Sequence, residues 1–268
     1  MNNLSLWAGD SATIGSPTSS SVIDGWRSLR RRLRRSIVAE SIVLLLVFVY
    51  VFGGTLGAGL GDLSGGRAAY VDYLVPGILL LTVAFVALGT PVSLAMDMTE
   101  GIIARFRTMA ISRASVLTGH VLGAMIQTML SVAVVIGVAL LLGFRPTAGP
   151  VEWIAAIGVL AMVSWALTWL TVALGLVSGS VESASNICLP LVFLPFLGSG
   201  FVPTDSMPPG LRVFAEYQPF TPVIETVRGL LMGTPIGNSA VLAVGWCAAI
   251  TLVGFFWARA LFNRDPAR

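Results

Sequence analysis

Six long apolar runs constrain the fold of this chain more than any other feature. An α-helix needs about 20 apolar residues to cross the hydrocarbon core of a bilayer. The runs are approximately Ser36–Leu56, Leu74–Ala95, Leu117–Leu142, Trp153–Val177, Ser185–Val202 and Asn238–Leu261. Because 56% of the 268 residues are apolar and only 11% are charged, against roughly 25% charged residues in soluble domains, we predict an all-α polytopic membrane protein with six transmembrane helices.

The fifth run differs from the others. It is the shortest of the six and carries Pro190 and Pro195. Proline inside a helix removes one hydrogen bond and clashes with the preceding turn, so we expect this helix to be kinked or broken. Neighbouring helices or water must then satisfy the freed carbonyl groups.

The distribution of arginine predicts the orientation of the helices. All 16 basic residues are arginine, and with the N-terminus inside, 12 of them fall on inside segments. The other 4 fall outside, at Arg67, Arg145, Arg212 and Arg228. Positive charge favours the cytoplasmic side, so both termini are expected in the cytoplasm. The lysine-free composition, rich in Ala, Gly and Val, suggests a GC-rich bacterial genome and hence a multi-pass protein of the bacterial cell membrane.

The chain before the first apolar run divides into two parts. Residues 1–21 are rich in Ser, Thr, Gly and Asn, which predicts a disordered cytoplasmic tail, and residues 22–268 then form one membrane domain. Val22, Trp26, Leu29 and Leu33 share one helical face among many arginines, a pattern typical of a helix lying in the membrane interface. A signal peptide is the alternative, but the apolar run that follows exceeds the ~7–15 residues of a secretory core.

The composition also excludes several classes of function. Without lysine, the chain cannot carry the P-loop of a standard ATPase. His120 is the single histidine, and Cys188 and Cys247 both lie in apolar runs, so the chain has neither a metal-ligand spacing nor a disulfide framework. We therefore expect a protein that is not an enzyme and that holds no metal or cofactor of its own.

The middles of the six runs contain no Asp, Glu, Arg or His. An ion-driven carrier needs a titrating group or an ion site there, so energy for any transport should come from elsewhere. The mild polar residues in these runs are expected to form hydrogen bonds between helices. They are Gln127, Thr128, Ser131, Ser164, Thr168 and Thr171.

The segment between the second and third runs has the pattern of a short amphipathic helix on the cytoplasmic face. Its apolar stripe consists of Ile102, Ile103, Phe106 and Met109, with Asp97 and Glu100 at the start and Arg105 and Arg107 on the far side. Acidic residues at a helix start suit the helix dipole. Two interpretations follow: the helix lies on lipid as an ordinary positive-inside loop, or it docks into a groove on a soluble partner.

The outer segment Pro203–Gly237 is too apolar for a free loop and too broken by proline to span the membrane. Pro222 suits the first position of a helix and Thr221 its N-cap. Glu225 and Arg228 are spaced to pair as i, i+3 neighbours. We expect re-entrant helices that dip into the outer leaflet, with a simple periplasmic cap as the alternative.

Two stretches give the chain a family resemblance. The first runs through residues 97–123 and contains Glu-Gly-Ile-Ile-Ala-Arg-Phe-Arg at 100–107, with Ala110 where proline is common. The second begins Gly-Phe-Val-Pro at 200–203 and continues to Leu230. The chain resembles the permease subunit of type-2 ABC exporters, closest to the daunorubicin-resistance-type branch, over nearly its whole length.

This resemblance implies a dimer of six-span permeases, homo- or heteromeric, that exports an amphipathic drug, lipid or glycan. Each permease would be docked on a separate ATP-binding subunit that holds ATP-Mg. The implied coupling helix includes Glu100, Ile103, Arg105, Phe106, Arg107, Met109 and Arg113. Ser180 and Glu182 would form a second cytoplasmic contact. The outer re-entrant segment would contain Pro203, Met207, Pro208, Phe214, Glu216, Pro219, Glu225 and Arg228. An ion-coupled multidrug carrier and a membrane scaffold remain the alternatives.

Overall fold

The computed structural model describes residues 39, 41–52, 66–99, 113–178 and 180–263, all within one compact unit, Ile37–Arg268. The regular secondary structure of these ranges is helical throughout. The helices are α1 (Ser41–Val51, overlapping a π-helical turn at Phe48–Phe52), α2 (Gly66–Thr99), α3 (Arg113–Leu141), α4 (Pro150–Val177), α5 (Val181–Phe193), α6 (Pro209–Tyr217), α7 (Phe220–Met232) and α8 (Ser239–Asn263). Short 3-10 helices cover Leu194–Leu197 and Thr204–Ser206.

Four of these helices are long and apolar enough to cross a membrane. They contain the stretches Ala69–Met96, Thr118–Leu141, Pro150–Val177 and Ser239–Leu261, and they correspond to the second, third, fourth and sixth predicted runs. Two shorter apolar helices, Ser41–Val51 and Val181–Leu197, fall in the first and fifth runs. The all-α polytopic architecture is therefore confirmed, whereas the count of six spans stays a prediction.

Helix α2 is the centre of the bundle. In the most apolar 18-residue stretch of α2, 72% is buried inside the bundle, against 17% in the corresponding stretch of α8. It packs against α3, α4, α5 and α7, while α8 packs against α4 and α7. The peripheral helices α3 and α8 therefore present most of their apolar side chains outward, as helices facing lipid do.

A glycine sets the distance between α8 and α4. A Cβ atom added to Gly254 would lie 2.7 Å from the backbone nitrogen of Leu170 and 2.8 Å from the carbonyl carbon of Trp169. Small residues let helix backbones approach closely in membranes, where van der Waals packing rather than the hydrophobic effect drives association. Trp169 also packs edge-to-face on Phe255 of α8, with ring centroids 5.0 Å apart.

The proline-containing fifth run breaks as its sequence predicts. Helix α5 ends at Phe193, and the chain continues as the 3-10 helix Leu194–Leu197, which has Pro195 near its start. The turn that follows, residues 198–201, is buried, and its Gly200 lies against Gly77 of α2 and Ile224 of α7. The break therefore delivers an irregular backbone segment into the bundle, where its polar groups need partners.

The outer segment is largely helical, but the predicted start of its second helix is wrong. Helix α7 begins at Phe220, with Pro219 at the N-cap position and no side-chain capping bond. Thr221 thus lies inside the helix, and its hydroxyl accepts hydrogen bonds from other groups. The helix ends at Gly233, whose φ of 70° places it in the left-handed conformation that glycine adopts readily at helix ends.

Several sequence predictions lie outside the described residues. These are the tail at 1–21, the interfacial helix at 22–35 and the coupling-helix residues at 100–112. Arg113 is the first residue of α3, and its side chain is outside the described part as well.

Candidate functional site

Three segments converge at one end of the bundle: the beginning of α2, the turn after α5, and α7. Gly77 of α2 faces Gly200 of the turn so closely that a Cβ atom on Gly77 would lie 2.5 Å from the Gly200 carbonyl oxygen. Only glycine fits that approach without displacing backbone. This contact holds the turn against α2 and leaves the polar groups of Ser199 within reach of both helices.

Arg228 of α7 is the centre of this junction. The residue is only 7% exposed. Its Nη1 donates a hydrogen bond to Glu225 Oε1 at 2.6 Å, and its Nη2 donates to the carbonyl oxygen of Ser199 at 2.7 Å. The Glu225–Arg228 pair predicted from i, i+3 spacing is thus confirmed.

The same guanidinium also reaches α2. Nη2 donates to the carbonyl oxygen of Tyr73 at 3.2 Å, and the guanidinium carbon lies 3.9 Å from the centre of the Tyr73 ring. A cation over an aromatic face is attracted by the ring quadrupole. The Tyr73 hydroxyl in turn donates to the Ser199 carbonyl at 2.8 Å. One carbonyl oxygen therefore accepts hydrogen bonds from both α2 and α7.

We refer to Tyr73, Ser199, Glu225 and Arg228 as the Arg228 clasp. Burying an unpaired charge is costly, and here the carboxylate, two carbonyl oxygens and an aromatic ring surround the guanidinium. A buried pair with further hydrogen bonds can offset the desolvation of its charges. The clasp consequently ties three segments together through polar contacts.

Further hydrogen bonds connect neighbouring segments to the junction. The Ser199 backbone N–H donates to Thr221 Oγ1 at 3.4 Å, and Gln218 Nε2 contacts the same oxygen at 3.5 Å. On the α3–α4 loop, the Thr147 N–H donates to the Leu231 carbonyl at 3.0 Å. The Arg145 N–H donates to Asp72 Oδ1 at 3.0 Å, so this loop is tied to both α7 and α2.

The predicted outer-segment residues divide between two places. Glu225 and Arg228 belong to the clasp. Glu216 instead pairs with Arg212, which also pairs with Asp205, both at 2.7 Å. The hydrogen bond that Arg212 donates to Glu216 and the negative charge of Asp205 raise the pKa of Arg212, which is exposed on α6. The remaining predicted residues lie outside the clasp, along the surface or half-buried: Pro203, Met207, Pro208, Phe214 and Pro219.

The sequence prediction missed Tyr73 and Ser199. They lie 155 and 29 positions from Arg228 along the chain, and no local spacing links residues so far apart. A tyrosine near the start of a helix and a serine between two glycines carry no distinctive signal by themselves. The position of Arg228 within an otherwise apolar predicted helix was the one indication in the sequence that polar partners must lie nearby.

The opposite end of the bundle holds the predicted second contact. Helix α4 ends at Val177 and α5 begins at Val181. Ser180 caps α5, its Oγ accepting from the Ser183 N–H at 3.1 Å, and Glu182 is an exposed acid in the first turn. This is a short, capped turn, and its role as a contact for a partner stays a prediction.

Most of the hydroxyls in the middle of the spanning helices form hydrogen bonds within their own helices, not between helices as predicted, and Ser164 Oγ has no partner within the described residues. Thr128 donates to the Ala124 carbonyl at 2.9 Å, and Thr168 donates to the Ser164 carbonyl at 2.6 Å. Ser131 likewise donates to its own helix, at Gln127. Short hydroxyl side chains commonly donate to the carbonyl oxygen one turn earlier in the same helix. Here they use this acceptor instead of a group on a neighbouring helix.

Among the described residues, no group of three or more His, Cys, Asp or Glu side chains could hold a metal ion. The polar chemistry of these ranges is concentrated at the ends of an apolar bundle. Fold and site together define a polytopic membrane protein in which polar groups organise the ends of the spans.

Comparison with known proteins identifies the family. Residues 22–232 match the family described as ABC-2 type transporter, which is most of the chain, so the protein belongs to that family. It is similar to the "Daunorubicin resistance ABC transporter permease protein DrrB1" of Streptomyces coeruleorubidus, with 28% identity over 74% of this chain and 68% of the relative. It is also similar to the "Probable doxorubicin resistance ABC transporter permease protein DrrC" of Mycobacterium tuberculosis, with 26% identity over 81% and 78%.

These comparisons confirm the predicted resemblance to type-2 ABC permeases of the daunorubicin-resistance branch. Permease subunits of ABC transporters are not themselves catalytic, and membership of the family implies an ATP-binding partner in the transporter. The prediction of a membrane permease is therefore confirmed at the level of the family.

Proposed function

We propose that this chain is the membrane-spanning permease subunit of an ATP-driven exporter in the bacterial cell membrane. A separate ATP-binding subunit would bind ATP-Mg and supply the energy, and two permease chains would form the transport path for an amphipathic drug, lipid or glycan. The observation that carries the proposal is the family match together with relatives named for drug resistance.

The chain's own chemistry supports an external energy source. The full sequence contains no lysine for a P-loop, and the middles of its apolar runs contain no ionisable residue. A carrier driven by protons or sodium needs such a residue or an ion cage near the membrane midplane. ATP binding in a partner would shift the permease between states through different contacts in each state.

The coupling contact is proposed for the segment between α2 and α3. Helix α2 ends at Thr99 and α3 begins at Arg113, so the amphipathic stretch Glu100–Ser112 connects two helices that pack against each other. The capped turn at Ser180 and Glu182 lies at the same end of the bundle. A partner docked at this end would contact both the segment that joins α2 to α3 and the turn that joins α4 to α5.

The proposal is tested by substitutions in the coupling segment. Phe106 lies on the apolar stripe of that segment, and the same helical spacing places Thr108 on the opposite side. Phe106→Asp should abolish ATP-dependent efflux and co-purification of the ATP-binding subunit, while Thr108→Asp should leave both intact. Both variants are compared at equal membrane levels after mild-detergent purification and mass spectrometry.

The alternatives give different results in the same assay. If wild-type protein purifies without any P-loop subunit, and efflux collapses when the proton gradient is dissipated at constant ATP, the protein is an ion-coupled carrier. If the protein is inserted but moves no solute under either energy source, it is a scaffold. Retained efflux and retained partner binding in Phe106→Asp would reject the proposed coupling contact.

A further inference from the structure

Helix α5 is packed on one side and exposed on the other. It contacts α2 and α4, and its buried side chains recur at every fourth position: Ala184, Cys188 and Val192. Asn186, Leu189 and Phe193 are exposed on the opposite side, Phe193 by 61%. Lipid accommodates the leucine and the phenylalanine, but an asparagine amide in hydrocarbon needs a hydrogen-bonding partner.

The three exposed residues have the spacing of a contact between two helices. Asn186, Leu189 and Phe193 are three and then four residues apart, which is the a, d, a spacing along which helices pack together. At about 100° per residue, they lie within roughly 60° of one another on the helix surface. Ser185 and Ile187 are also exposed, but they lie about 100° to either side of Asn186. We call Asn186, Leu189 and Phe193 the α5 stripe.

A backbone acceptor lies on the same side of the helix. Pro190 has no N–H, so it cannot donate to the Asn186 carbonyl oxygen, which is its partner in the i→i−4 pattern of an α-helix. Both residues are exposed, and the carbonyl group between them therefore faces outward. Asn186 thus presents a donor, its side-chain amide, and an acceptor, its main-chain carbonyl, to the same side.

The α5 stripe extends from the edge of the hydrocarbon towards its centre. Helix α5 begins at Val181, at the end of the bundle predicted to be cytoplasmic. At 1.5 Å per residue, Asn186 lies about 7.5 Å further along the helix and Phe193 about 18 Å. The whole stretch Val181–Leu197 is apolar in composition. At this depth a second protein surface or a water-filled cavity must satisfy the polar groups of Asn186.

We propose that the α5 stripe packs against the same stripe of a second copy of this chain, and that the Asn186 side-chain amide of each copy donates to the Asn186 main-chain carbonyl of the other. A two-fold axis along the membrane normal makes the two helices parallel and brings identical residues together. A residue that both donates and accepts is its own complement under that symmetry. A single asparagine at an a position also fixes the register of two parallel helices. The need for a second copy rests on the proposed function, in which two permease chains act together.

Disulfide cross-linking in native membranes tests the position of the interface. Both native cysteines, which are buried, are replaced by alanine, and single cysteines are introduced by Asn186→Cys, Leu189→Cys or Phe193→Cys. Ser185→Cys and Ile187→Cys are the matched controls, because these positions are exposed neighbours at nearly the same depth. After oxidation with copper phenanthroline, the stripe variants should migrate as covalent dimers of the chain. The controls should cross-link several-fold less at equal membrane levels.

A second measurement tests the hydrogen bond itself. The Kd of the dimer is measured in liposomes by energy transfer between chains labelled at the C-terminus. Asn186→Leu removes the donor, and Pro190→Ala returns an N–H to the Asn186 carbonyl and so occupies the acceptor. Hydrogen bonds between membrane helices average roughly a threefold effect each, so losing the two symmetric bonds should raise the Kd about eightfold in either variant. The double variant should match the single variants, and Ser185→Leu should leave the Kd unchanged.

Equal cross-linking at positions 185, 186 and 187 would overturn the proposed interface, and an unchanged Kd in Asn186→Leu would overturn the hydrogen bond. Additive effects of Asn186→Leu and Pro190→Ala would also reject the assigned acceptor. Rapid labelling of Asn186→Cys by a water-soluble maleimide, without cross-linking, would show that water rather than a second copy covers this side of α5.

These outcomes are distinct from those for export. A chain that purifies with an ATP-binding subunit and exports solute, but does not cross-link along the α5 stripe, overturns the interface alone. A chain that cross-links along the stripe but purifies without an ATP-binding subunit overturns the proposed function alone.

Discussion

Loss of the carboxylate from the Arg228 clasp should destabilise the protein measurably. In Glu225→Ala, Arg228 keeps its two carbonyl acceptors but loses the negative charge 2.6 Å from Nη1. Removing one partner of a fully buried pair costs about 3–5 kcal/mol. The Glu225 side chain is 36% exposed whereas that of Arg228 is 9% exposed, so water replaces part of the lost interaction and we expect about 2 kcal/mol.

A thermal-unfolding assay can measure this loss with the protein's own cysteines. Cys188 and Cys247 are free and buried, so a fluorogenic thiol reagent reacts with them only as the bundle opens. A loss of about 2 kcal/mol corresponds to a Tm lowered by roughly 4–8 °C for a chain of this size. The measurement is made on purified protein in one detergent at fixed reagent concentration.

Glu216→Ala is the matched control for this substitution. Glu216 also pairs with an arginine of its own helix, at 2.7 Å, but that arginine is exposed. Exposed pairs contribute little to stability, so its Tm should not change. The reasoning is refuted if Glu225→Ala and Glu216→Ala shift the Tm equally. It is also refuted if Arg228→Met combined with Glu225→Ala is as unstable as the sum of the two single variants.

Two close glycine contacts give further predictions in the same assay. Gly77→Ala would place a Cβ atom 2.5 Å from the Gly200 carbonyl oxygen and should cost about 1–3 kcal/mol; Gly123→Ala, with no atom within 4 Å of the new Cβ, should be neutral or stabilising. Gly254→Ala should separate α8 from α4 and lower the Tm by a similar amount, while Gly245→Ala on the same helix, also in open space, should not. Equal Tm values within either pair would show that the backbones separate without cost.

The sequence predicts most of the helical architecture because each span is encoded locally. An apolar run of sufficient length must form its hydrogen bonds within itself in lipid, and four of the six predicted runs are observed as long apolar helices. The Glu225–Arg228 pair was likewise predictable, because residues three apart on a helix are neighbours. In both cases the physical cause lies within one segment of the chain.

The incorrect predictions concern hydroxyl groups that have several possible hydrogen-bond partners. The sequence does not show which of these partners each hydroxyl uses. Thr221 is a good N-cap residue, but α7 begins two positions earlier than predicted, with Pro219 at the N-cap, and the Thr221 hydroxyl is near the Ser199 N–H and the Gln218 side chain. Thr128 and Thr168 have polar groups suited to bonding between helices, yet the carbonyl one turn back is always within reach. Which acceptor a hydroxyl uses depends on distances that only the assembled bundle sets.

The clasp was not predictable because its partners come from three segments that are distant in the chain. Its physical role depends on the environment of α7. In water, burial of apolar surface would hold α7 against α2, but in the outer leaflet, where α7 is predicted to lie, lipid offers apolar side chains an equally good environment. Close packing, as at Gly77 and Gly200, supplies one part of the attachment. Directional bonds from Arg228 to two carbonyl oxygens supply another. Because those carbonyls belong to α2 and to the turn after α5, Arg228 fixes the position of α7 relative to both, which apolar contacts in lipid would define only weakly.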